Sequence, residues 1–308
     1  MANVSKSKSF SSVDLLLIVV MLFWGLNYTV IKVGLKQIDP FAFNAIRFSL
    51  ASVILIITSL LKKSSRPNGR MFMNLLALAI IGNVFYQIAF ILGIDRSLAS
   101  IASLVIASQP VFVVILNLIL KIDSVDFRGW IGIALSFTGI LLLINIESLG
   151  GTMGSSTLLG DALLVIATIF WSIYTVLAKP ILSSVNTLDL TTYTVALGTV
   201  FLTVIAIPSL SKLNLGSISW SSWIAIVYTG FILAFSYVIW NLGIKKIGST
   251  RTSIYYNLTP VIAILFAWQI LGEQLVPRQL FGGALVLVGV YLTRFSKRTP
   301  YFDIKDSE

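Results

Sequence analysis

Ten long apolar stretches run along almost the whole chain. Each is close to the roughly 20 residues that a helix needs to cross the hydrocarbon core of a bilayer. Together they take up most of the 308 residues and leave only short links between them, without room for a soluble domain. We place them at 14–34, 41–61, 72–94, 98–120, 129–146, 159–178, 188–208, 221–243, 252–271 and 279–294.

A low content of charge agrees with this pattern. Only 11% of the residues are charged and 57% are hydrophobic, whereas about a quarter of a soluble domain is charged. The chain contains no Cys and no His. This removes disulfides, thiolate nucleophiles, the commonest metal ligand and the commonest general base. We therefore predict an all-α membrane protein, and we expect no cofactor and no metal.

The positive charges are distributed unevenly between the links. If the N-terminus is cytoplasmic, the links and tails on that side hold 16 of the 22 Lys and Arg residues, and the opposite links hold four. This bias is typical of multi-pass proteins, so we expect both termini in the cytoplasm and the chain in the cell (plasma) membrane. The net charge of +10 then predicts membrane lipid as a partner and no nucleic acid.

The first apolar stretch could instead be a secretory signal that is removed from the mature protein. Its apolar run is longer than the core of such a signal, and no convincing small-residue cleavage site follows it. We therefore interpret residues 14–34 as a retained span.

The two halves of the chain repeat each other. Equivalent residues recur at a shift of 147 in the first span and of 150 further on: Trp24 and Trp171, Pro110 and Pro260, Arg128 and Arg278, Gly139 and Gly289. We delimit the halves at 14–146 and 159–294, with cytoplasmic tails at 1–13 and 295–308. Each half holds five spans, and an odd number of spans gives the second half the opposite orientation in the membrane. The sequence thus predicts two inverted five-helix repeats.

An inverted repeat is the architecture of many secondary transporters. Two equivalent halves can exchange conformations, so that a substrate site near the midplane opens first to one side and then to the other. Gene duplication without such a mechanical use is the alternative. The chain has no Gly-Lys-Ser/Thr run of a nucleotide-binding loop, so transport would be driven by a gradient or by an outside partner.

Several short motifs, in their order and duplication, carry a family resemblance. The chain resembles the drug/metabolite transporter superfamily, and within it the ten-span EamA-type transporters with two EamA repeats, over about residues 14–294. The residues that carry the resemblance are Phe23-Trp24-Gly25-Leu26-Asn27, Pro40 with Arg47, Ala99 to Leu104, Gln109-Pro110, Gly160-Asp161, Phe170 to Tyr174, Thr259-Pro260, Leu271-Gly272-Glu273, Gly282-Gly283 and Gly289.

The resemblance implies a secondary transporter and not an enzyme. It implies efflux or uptake of a small metabolite, an amino acid or a drug-like solute by alternating access, and of the two directions we expect export. Two departures concern single motifs: Lys121-Ile122-Asp123 stands where the family usually shows a Gly-Glu pair, and Ala196 stands opposite Arg47 in the second half.

Polar and aromatic side chains inside the spans are the candidate substrate contacts. Arg47 lies within its span, where an ionisable group is a functional hypothesis by default, and it could meet an anionic substrate group or a carbonyl. The candidate substrate-binding residues are Trp24, Asn27, Arg47, Asn83, Tyr86, Gln87, Gln109, Trp171, Tyr174, Tyr237, Trp240, Asn241, Tyr256 and Asn257. Such a lining would accept an amphipathic or aromatic metabolite by stacking and a few hydrogen bonds.

Each of these residue types has a structural alternative. An amide that faces lipid lacks hydrogen-bond partners, so the Asn and Gln side chains should face protein or a wet cavity. There they could hold helices together instead of binding substrate. Trp and Tyr could belong to the interfacial belts, although Trp24, Trp171 and Trp240 lie deeper than such belts usually do.

Two prolines and five acidic residues also have predicted roles. Pro110 and Pro260 each remove a backbone hydrogen bond in mid-span, and we predict that they form hinges at which the fourth and ninth spans flex. Acidic residues lie at the starts of spans or in the links between them, where we interpret them as structural, mostly as helix caps: Asp14, Asp123, Asp161, Asp189 and Glu273.

Other functions remain open alternatives to a coupled exporter. A channel or facilitative permease is one, although no ring of charge or filter sequence is visible. A membrane-embedded enzyme is the least favoured, because no pair of carboxylates lies at depth. The expected partner is a small-molecule substrate, and the expected assembly is a monomer or a weak homodimer.

Overall fold

The computed structural model describes residues 11–62, 67–120, 123–143, 152–294 and 298–300. Parts of the predicted tails, the end of the fifth span and the start of the following link lie outside these ranges. Within them the chain forms ten helices, which confirms the predicted all-α class. Their bounds are α1 Ser12–Leu35, α2 Pro40–Leu61, α3 Gly69–Arg96, α4 Ala99–Ile119, α5 Phe127–Leu143, α6 Thr152–Ile181, α7 Thr187–Leu210, α8 Trp220–Ile247, α9 Ser249–Leu271 and α10 Pro277–Arg294.

Eight of the described helices are long and apolar enough to cross a membrane, and α5 is a shorter apolar helix. The remaining regular structure in the described ranges is small. It consists of a 3₁₀ turn at Leu215–Ser217 and one antiparallel pair of strands, β1 Asp123–Val125 with β2 Arg298–Pro300. This pair joins the link after α4 to the segment after α10.

Local sequence explains where several helices begin. The Asp39 side chain accepts hydrogen bonds from the backbone N–H groups of Phe41 and Ala42, and Pro40 follows it in the first helical position of α2. Asn186 caps α7 through the backbone N–H of Asp189, whose carboxylate accepts a bond of 2.5 Å from the Asn186 amide. Free N–H groups of the first turns are thereby satisfied.

The acids at the helix ends take part in contacts within and between helices. Asp14 accepts hydrogen bonds from the backbone and side chain of Ser11, and a bond of 2.5 Å from the Tyr255 hydroxyl of α9. Asp161 accepts a hydrogen bond from the Ser97 hydroxyl, in the link between α3 and α4. Asp14 thus caps the start of α1, as predicted. The prediction of a cap is wrong for Asp161, because α6 begins at Thr152 and Asp161 lies inside it, where its contact joins two helical segments.

Contacts between links, with a bond of 3.4 Å from Lys32 Nζ of α1 to the backbone carbonyl of Asp95 in α3, show that α1, α3, α7 and α9 end on one side of the bundle. Gln37, after α1, accepts a hydrogen bond from the backbone N–H of Ser219, before α8. Glu273, after α9, accepts bonds from the backbone N–H groups of Ala99 and Ser100 at the start of α4. We call this side the α1–α2 end of the bundle, and the opposite side the N-terminal end.

Equivalent residues of the two halves make equivalent contacts. A Cβ on Gly93 of α3 would lie 2.8 Å from Leu164 of α6, and a Cβ on Gly243 of α8 would lie 3.1 Å from Leu17 of α1. Gly243 follows Gly93 by 150 residues and Leu164 follows Leu17 by 147. The same small-residue packing therefore occurs twice, which supports the inverted repeat.

Helices α5 and α10 approach each other closely, backbone to backbone. A Cβ on Gly139 would lie 2.6 Å from the carbonyl oxygen of Gly282, and a Cβ on Gly289 would lie 2.5 Å from that of Gly132. Only glycine permits this distance, as expected where backbones meet in a membrane protein.

Three helices are irregular near the middle of the bundle. In α4 the helix is interrupted by a turn at Ala107 and Ser108, and in α9 it tightens to a 3₁₀ turn at Tyr255–Leu258. Pro110 and Pro260 stand in the first turns of the helical segments that follow. In α3 the residues Ile80–Phe85 form a π-helical segment. Such irregular turns occur frequently at functional sites.

Candidate functional site

Three tryptophans meet where the two halves face each other. The ring centroids of Trp24 and Trp171, which are equivalent residues of the repeat, lie 6.2 Å apart. The Trp240 ring lies 5.3 Å from that of Trp24 and 5.9 Å from that of Trp171. All three are buried, so they belong to the interior of the bundle and not to an interfacial belt.

Four tyrosines extend this aromatic cluster. Tyr86 and Tyr174 stack on Trp171 with centroids at 4.8 and 4.9 Å. Tyr237 lies 5.1 Å from Trp171, and Tyr256 lies 5.0 Å from Trp24. Aromatic pairs at these distances stabilise one another by roughly 0.5–1.5 kcal/mol each. The seven rings therefore form one packed layer across the bundle.

Arg47 lies beside this layer, about 10 Å along α2 from its start, given a rise of about 1.5 Å per residue. Its side chain is only 2% exposed. Nε donates to Asn44 Oδ1 at 2.9 Å, and Nη2 donates to Gln87 Oε1 at 2.6 Å. The guanidinium also lies 5.9 Å from the ring centre of Phe43.

The Arg47 guanidinium has no carboxylate partner among the described residues. Its two side-chain acceptors are the neutral amides of Asn44 and Gln87. A buried charge without an opposite charge is expensive to keep in a protein interior. The arrangement is therefore suited to an anionic group that arrives from outside.

A hydrogen bond continues from Arg47 to the other half of the chain. Gln87 accepts from Arg47 through its oxygen and donates through Nε2 to the hydroxyl of Tyr237 at 2.7 Å. The indole N–H of Trp24 donates to Ser236 Oγ at 2.8 Å. Residues of α1, α2, α3 and α8 are thus joined around Arg47.

A cleft opens at this point, in the half of the bundle nearer the α1–α2 end. The free space within it is about 30 Å³, close to the volume of one water molecule, so the cleft is narrow in this state. It is lined by Trp24, Asn27, Tyr28, Arg47, Tyr86, Gln87, Phe90, Thr229, Ile232, Leu233, Tyr237 and Tyr256. We call it the Arg47 cleft.

The bundle is closed on the other side of the aromatic layer. The Asn241 amide donates to the Tyr174 hydroxyl at 2.9 Å and to Thr191 Oγ1 at 3.0 Å, which ties α8 to α6 and α7. Gln109 donates to Thr175 Oγ1 at 3.2 Å and so ties α4 to α6. Asn241, Tyr174 and Gln109 are fully buried, and their side-chain hydrogen bonds hold the helices together in this state.

Several buried polar atoms of the candidates have no protein partner. They are Asn27 Oδ1, both polar atoms of the Asn83 side chain, Gln109 Oε1, Asn257 Oδ1, Trp171 Nε1 and Trp240 Nε1. Buried polar groups are nearly always paired. These atoms therefore leave unused hydrogen-bonding capacity in the interior of the described bundle.

The structure brings seven of the fourteen candidates together in the Arg47 cleft: Trp24, Asn27, Arg47, Tyr86, Gln87, Tyr237 and Tyr256. Of the others, Trp171, Trp240 and Tyr174 lie in the aromatic layer, Asn241 and Gln109 lie on its closed side, and Asn83 and Asn257 lie apart from the cleft lining. The structure does not test which of them bind substrate, and their role stays a prediction.

Some residues of the cleft were not among those predicted from the sequence. Tyr28 and Phe90 line it with their rings 5.9 Å apart, and Asn44 and Ser236 orient Arg47 and Trp24. Asn44 precedes Arg47 by one helical turn, a spacing that places both on the same helix face. Ser236 is the repeat equivalent of Tyr86. The spacing of Asn44 from Arg47 and the equivalence of Ser236 to Tyr86 can both be read from the sequence.

The described residues hold no group of three or more Asp, Glu, His or Cys side chains that could hold a metal ion. The site chemistry consists of one guanidinium, amides, hydroxyls and aromatic rings. These groups can bind a solute by charge, stacking and hydrogen bonding.

Comparison with known proteins places this geometry in a wider group. The profile of the EamA-like transporter family matches residues 11–145 and 158–295. The chain is 32% identical to an uncharacterized transporter of Archaeoglobus fulgidus, over 92% of this chain and 97% of that one. It is 27% identical to the "probable amino-acid metabolite efflux pump" of Escherichia coli, over 92% and 95%.

A solved crystal structure has the same fold. It superposes with a TM-score of 0.64 at 17% sequence identity and covers 92% of this chain and 96% of that one. The family match and the names of the relatives confirm the prediction of a multi-pass membrane transporter and not an enzyme. With two matched segments, a duplicated five-helix fold and a polar cleft between its halves, the chain belongs to the EamA-like transporter family.

Proposed function

We propose that this transporter exports a small amphipathic metabolite with an anionic group, by alternating access. The single observation that carries the proposal is the Arg47 guanidinium, which is buried beside the cleft without a described carboxylate partner. A substrate carboxylate would neutralise it with charge-assisted hydrogen bonds. The repeat provides the two equivalent halves that alternating access requires.

The rest of the cleft suits an apolar or aromatic body. Trp24, Tyr86, Tyr237 and Tyr256 offer ring faces within the lining, and Asn27 offers an unpaired oxygen. A relative that is named for amino-acid metabolite efflux supports both the substrate class and the direction. We propose hydrophobic and aromatic amino acids, and carboxylates of similar size, as the first candidates.

The remaining assignments follow from charge and symmetry. We propose that the α1–α2 end faces the exterior of the cell, that both termini are cytoplasmic, and that the functional halves are 14–146 and 159–294, of which 144–146 lie outside the described residues. We further propose that the chain acts as a monomer or a weak homodimer in the plasma membrane and does not bind nucleic acid. The charge count along the links supports this orientation.

The test compares the wild-type chain with Arg47→Ala in purified form. We expect L-phenylalanine, L-leucine and their des-amino carboxylates to raise the thermal stability of the wild type and to show saturable counterflow in proteoliposomes. Arg47→Ala should weaken binding about 30-fold or more, since loss of one partner of a buried charge pair costs about 2–5 kcal/mol.

Arg70→Ala serves as the matched control, because Arg70 is exposed at the start of α3. It should bind as the wild type does. Unchanged binding by Arg47→Ala would reject the anion contact. Flux that does not saturate and shows no counterflow would reject alternating access in favour of a channel.

A further inference from the structure

Asn83 is a buried amide that no established contact explains. It lies in the π-helical segment Ile80–Phe85 of α3 and is fully buried. Neither Oδ1 nor Nδ2 has a hydrogen-bond partner, and neither atom reaches solvent. An unpaired donor or acceptor in a protein interior costs about 1–3 kcal/mol.

Packing against two other helices holds Asn83 in place. A Cβ on Gly198 of α7 would lie 2.5 Å from the Cβ of Asn83, and a Cβ on Gly82 would lie 2.3 Å from a ring carbon of Tyr174 in α6. Two glycines thus let α3 approach α6 and α7 closely at this turn. The amide is therefore not in a loosely packed region where its orientation would be arbitrary.

The fold does not require an amide at this position. The repeat equivalent of Asn83 is Leu233, which lines the Arg47 cleft in the second half. An apolar side chain is therefore compatible with the corresponding site of the same architecture. The unpaired amide of Asn83 is instead consistent with a role in another state of the protein.

The position of Asn83 along α3 suggests that role. It precedes Gln87 by one turn, a spacing at which side chains are neighbours on a helix. Gln87 contacts Arg47, whereas Asn83 lies one turn nearer the start of α3 and therefore nearer the N-terminal end of the bundle. The neighbouring Gly82 packs against Tyr174, which is hydrogen-bonded to Asn241. Arg47 itself has no basic equivalent in the second half, where residues 194–197 are Thr, Val, Ala and Leu.

We propose that Asn83 is a second substrate-binding position, which holds the polar end of the substrate when the cavity opens toward the N-terminal end of the bundle. The inference rests on the proposed transport function and deepens it. A primary amide offers one acceptor and two donor N–H groups. It can therefore accept from an ammonium and donate to a carboxylate, whereas Arg47 can only donate. The two positions together select a zwitterion with an apolar body, such as a hydrophobic α-amino acid.

The experiment measures uptake of L-phenylalanine and of 3-phenylpropanoate, which lacks the ammonium group, into proteoliposomes that contain the full chain. Uptake into protein-free vesicles is subtracted. For the wild type we expect saturable uptake that favours L-phenylalanine. Asn83→Leu should lower L-phenylalanine uptake about tenfold, the effect of one lost charge-assisted hydrogen bond, and remove the preference over 3-phenylpropanoate.

A second readout separates binding from folding. Asn83→Leu and Asn83→Ala should be at least as thermostable as the wild type, because both remove two unpaired polar atoms. Asn117→Leu is the matched control, since Asn117 is a buried amide of α4 that bonds to Thr250 Oγ1 at 3.3 Å. It should lose thermal stability and keep the L-phenylalanine preference.

Each outcome decides the proposal. If both Asn83 variants fold and transport L-phenylalanine as the wild type does, the second position is wrong, while the effect of Arg47→Ala still stands for the transport function. If the wild type moves carboxylates without preference for the zwitterion, the assignment of Asn83 is also wrong. If neither probe is taken up or bound, the proposed substrate class fails together with it.

Discussion

Gln87 and Tyr237 are equivalent residues of the two repeats, and they are hydrogen-bonded to each other at 2.7 Å. Two equivalent residues can touch only where they lie close to the axis that relates the halves. Trp24 and Trp171 meet in the same way at 6.2 Å. The axis therefore passes through the aromatic layer, next to Arg47, and any solute in the Arg47 cleft contacts both halves.

The bond between Gln87 and Tyr237 should be energetically coupled. Tyr237→Phe and Gln87→Leu each leave a buried polar group of the partner unpaired, whereas the double variant removes both groups. We expect a coupling free energy of about 0.5–1.5 kcal/mol in a double-mutant cycle measured by unfolding. A cycle of Tyr237→Phe with Gln109→Leu should be additive, because Gln109 bonds to Thr175. Equal coupling in both cycles would show that the effect is not specific to this bond.

The α5–α10 pair should not tolerate a methyl group. Gly139→Ala would place its Cβ 2.6 Å from the carbonyl oxygen of Gly282, so the helices must separate. We expect a loss of about 1–3 kcal/mol in stability, as for other overpacked sites, seen as a lower melting temperature in detergent. Gly69→Ala is the control, since a Cβ there meets nothing within 4 Å. An equal effect of both would point to helix propensity instead.

Glu273 should stabilise the start of α4. Its carboxylate accepts from the N–H groups of Ala99 and Ser100 at 2.9 Å and from the Ser100 hydroxyl at 2.7 Å. No side-chain cap is supplied by the residue that precedes α4. Glu273→Gln replaces one acceptor oxygen with a donor and removes the charge, so we expect a loss of about 1–2 kcal/mol.

The control for this change is Asp95→Asn, an exposed acid at the same end of the bundle. It should leave the melting temperature unchanged. If Glu273→Gln melts at the wild-type temperature as well, the hydrogen bonds from the start of α4 to Glu273 do not contribute to stability.

Pro110 and Pro260 follow the irregular turns of α4 and α9, and their hinge role stays a prediction. The double variant Pro110→Ala with Pro260→Ala restores two backbone N–H groups and lets both helices become regular. We expect it to fold and to transport severalfold more slowly, because a change at a hinge slows the conformational switch between the two open states. Counterflow measures the rate. Pro208→Ala in α7 is the control, and normal turnover in a well-folded double variant would reject the hinge.

Much of this architecture follows from the sequence alone. Apolar length determines the number of spans, and the shifts of 147 and 150 residues determine the repeat, because both depend on local composition and on order along the chain. The capping role of Asp39, Asn186 and Asp189 also needs only a few neighbouring residues. The preference of Arg47 and the amides for the interior follows from the cost of facing lipid.

The partners of these side chains were decided by the tertiary structure. Sequence could place Gln87, Gln109 and Asn241 inside spans, but only helix packing assigns Gln87 to Arg47 and the other two to bonds between helices. The π-helical turn at Asn83 likewise has no local signal. Hydrophobic pattern determines which residues leave water, whereas hydrogen bonds depend on distances of a few tenths of an ångström between residues far apart in the chain. That is why the sequence predicts the transporter fold, whereas only the assembled bundle shows the Arg47 cleft on one side of the aromatic layer and the hydrogen bonds of Asn241 on the other.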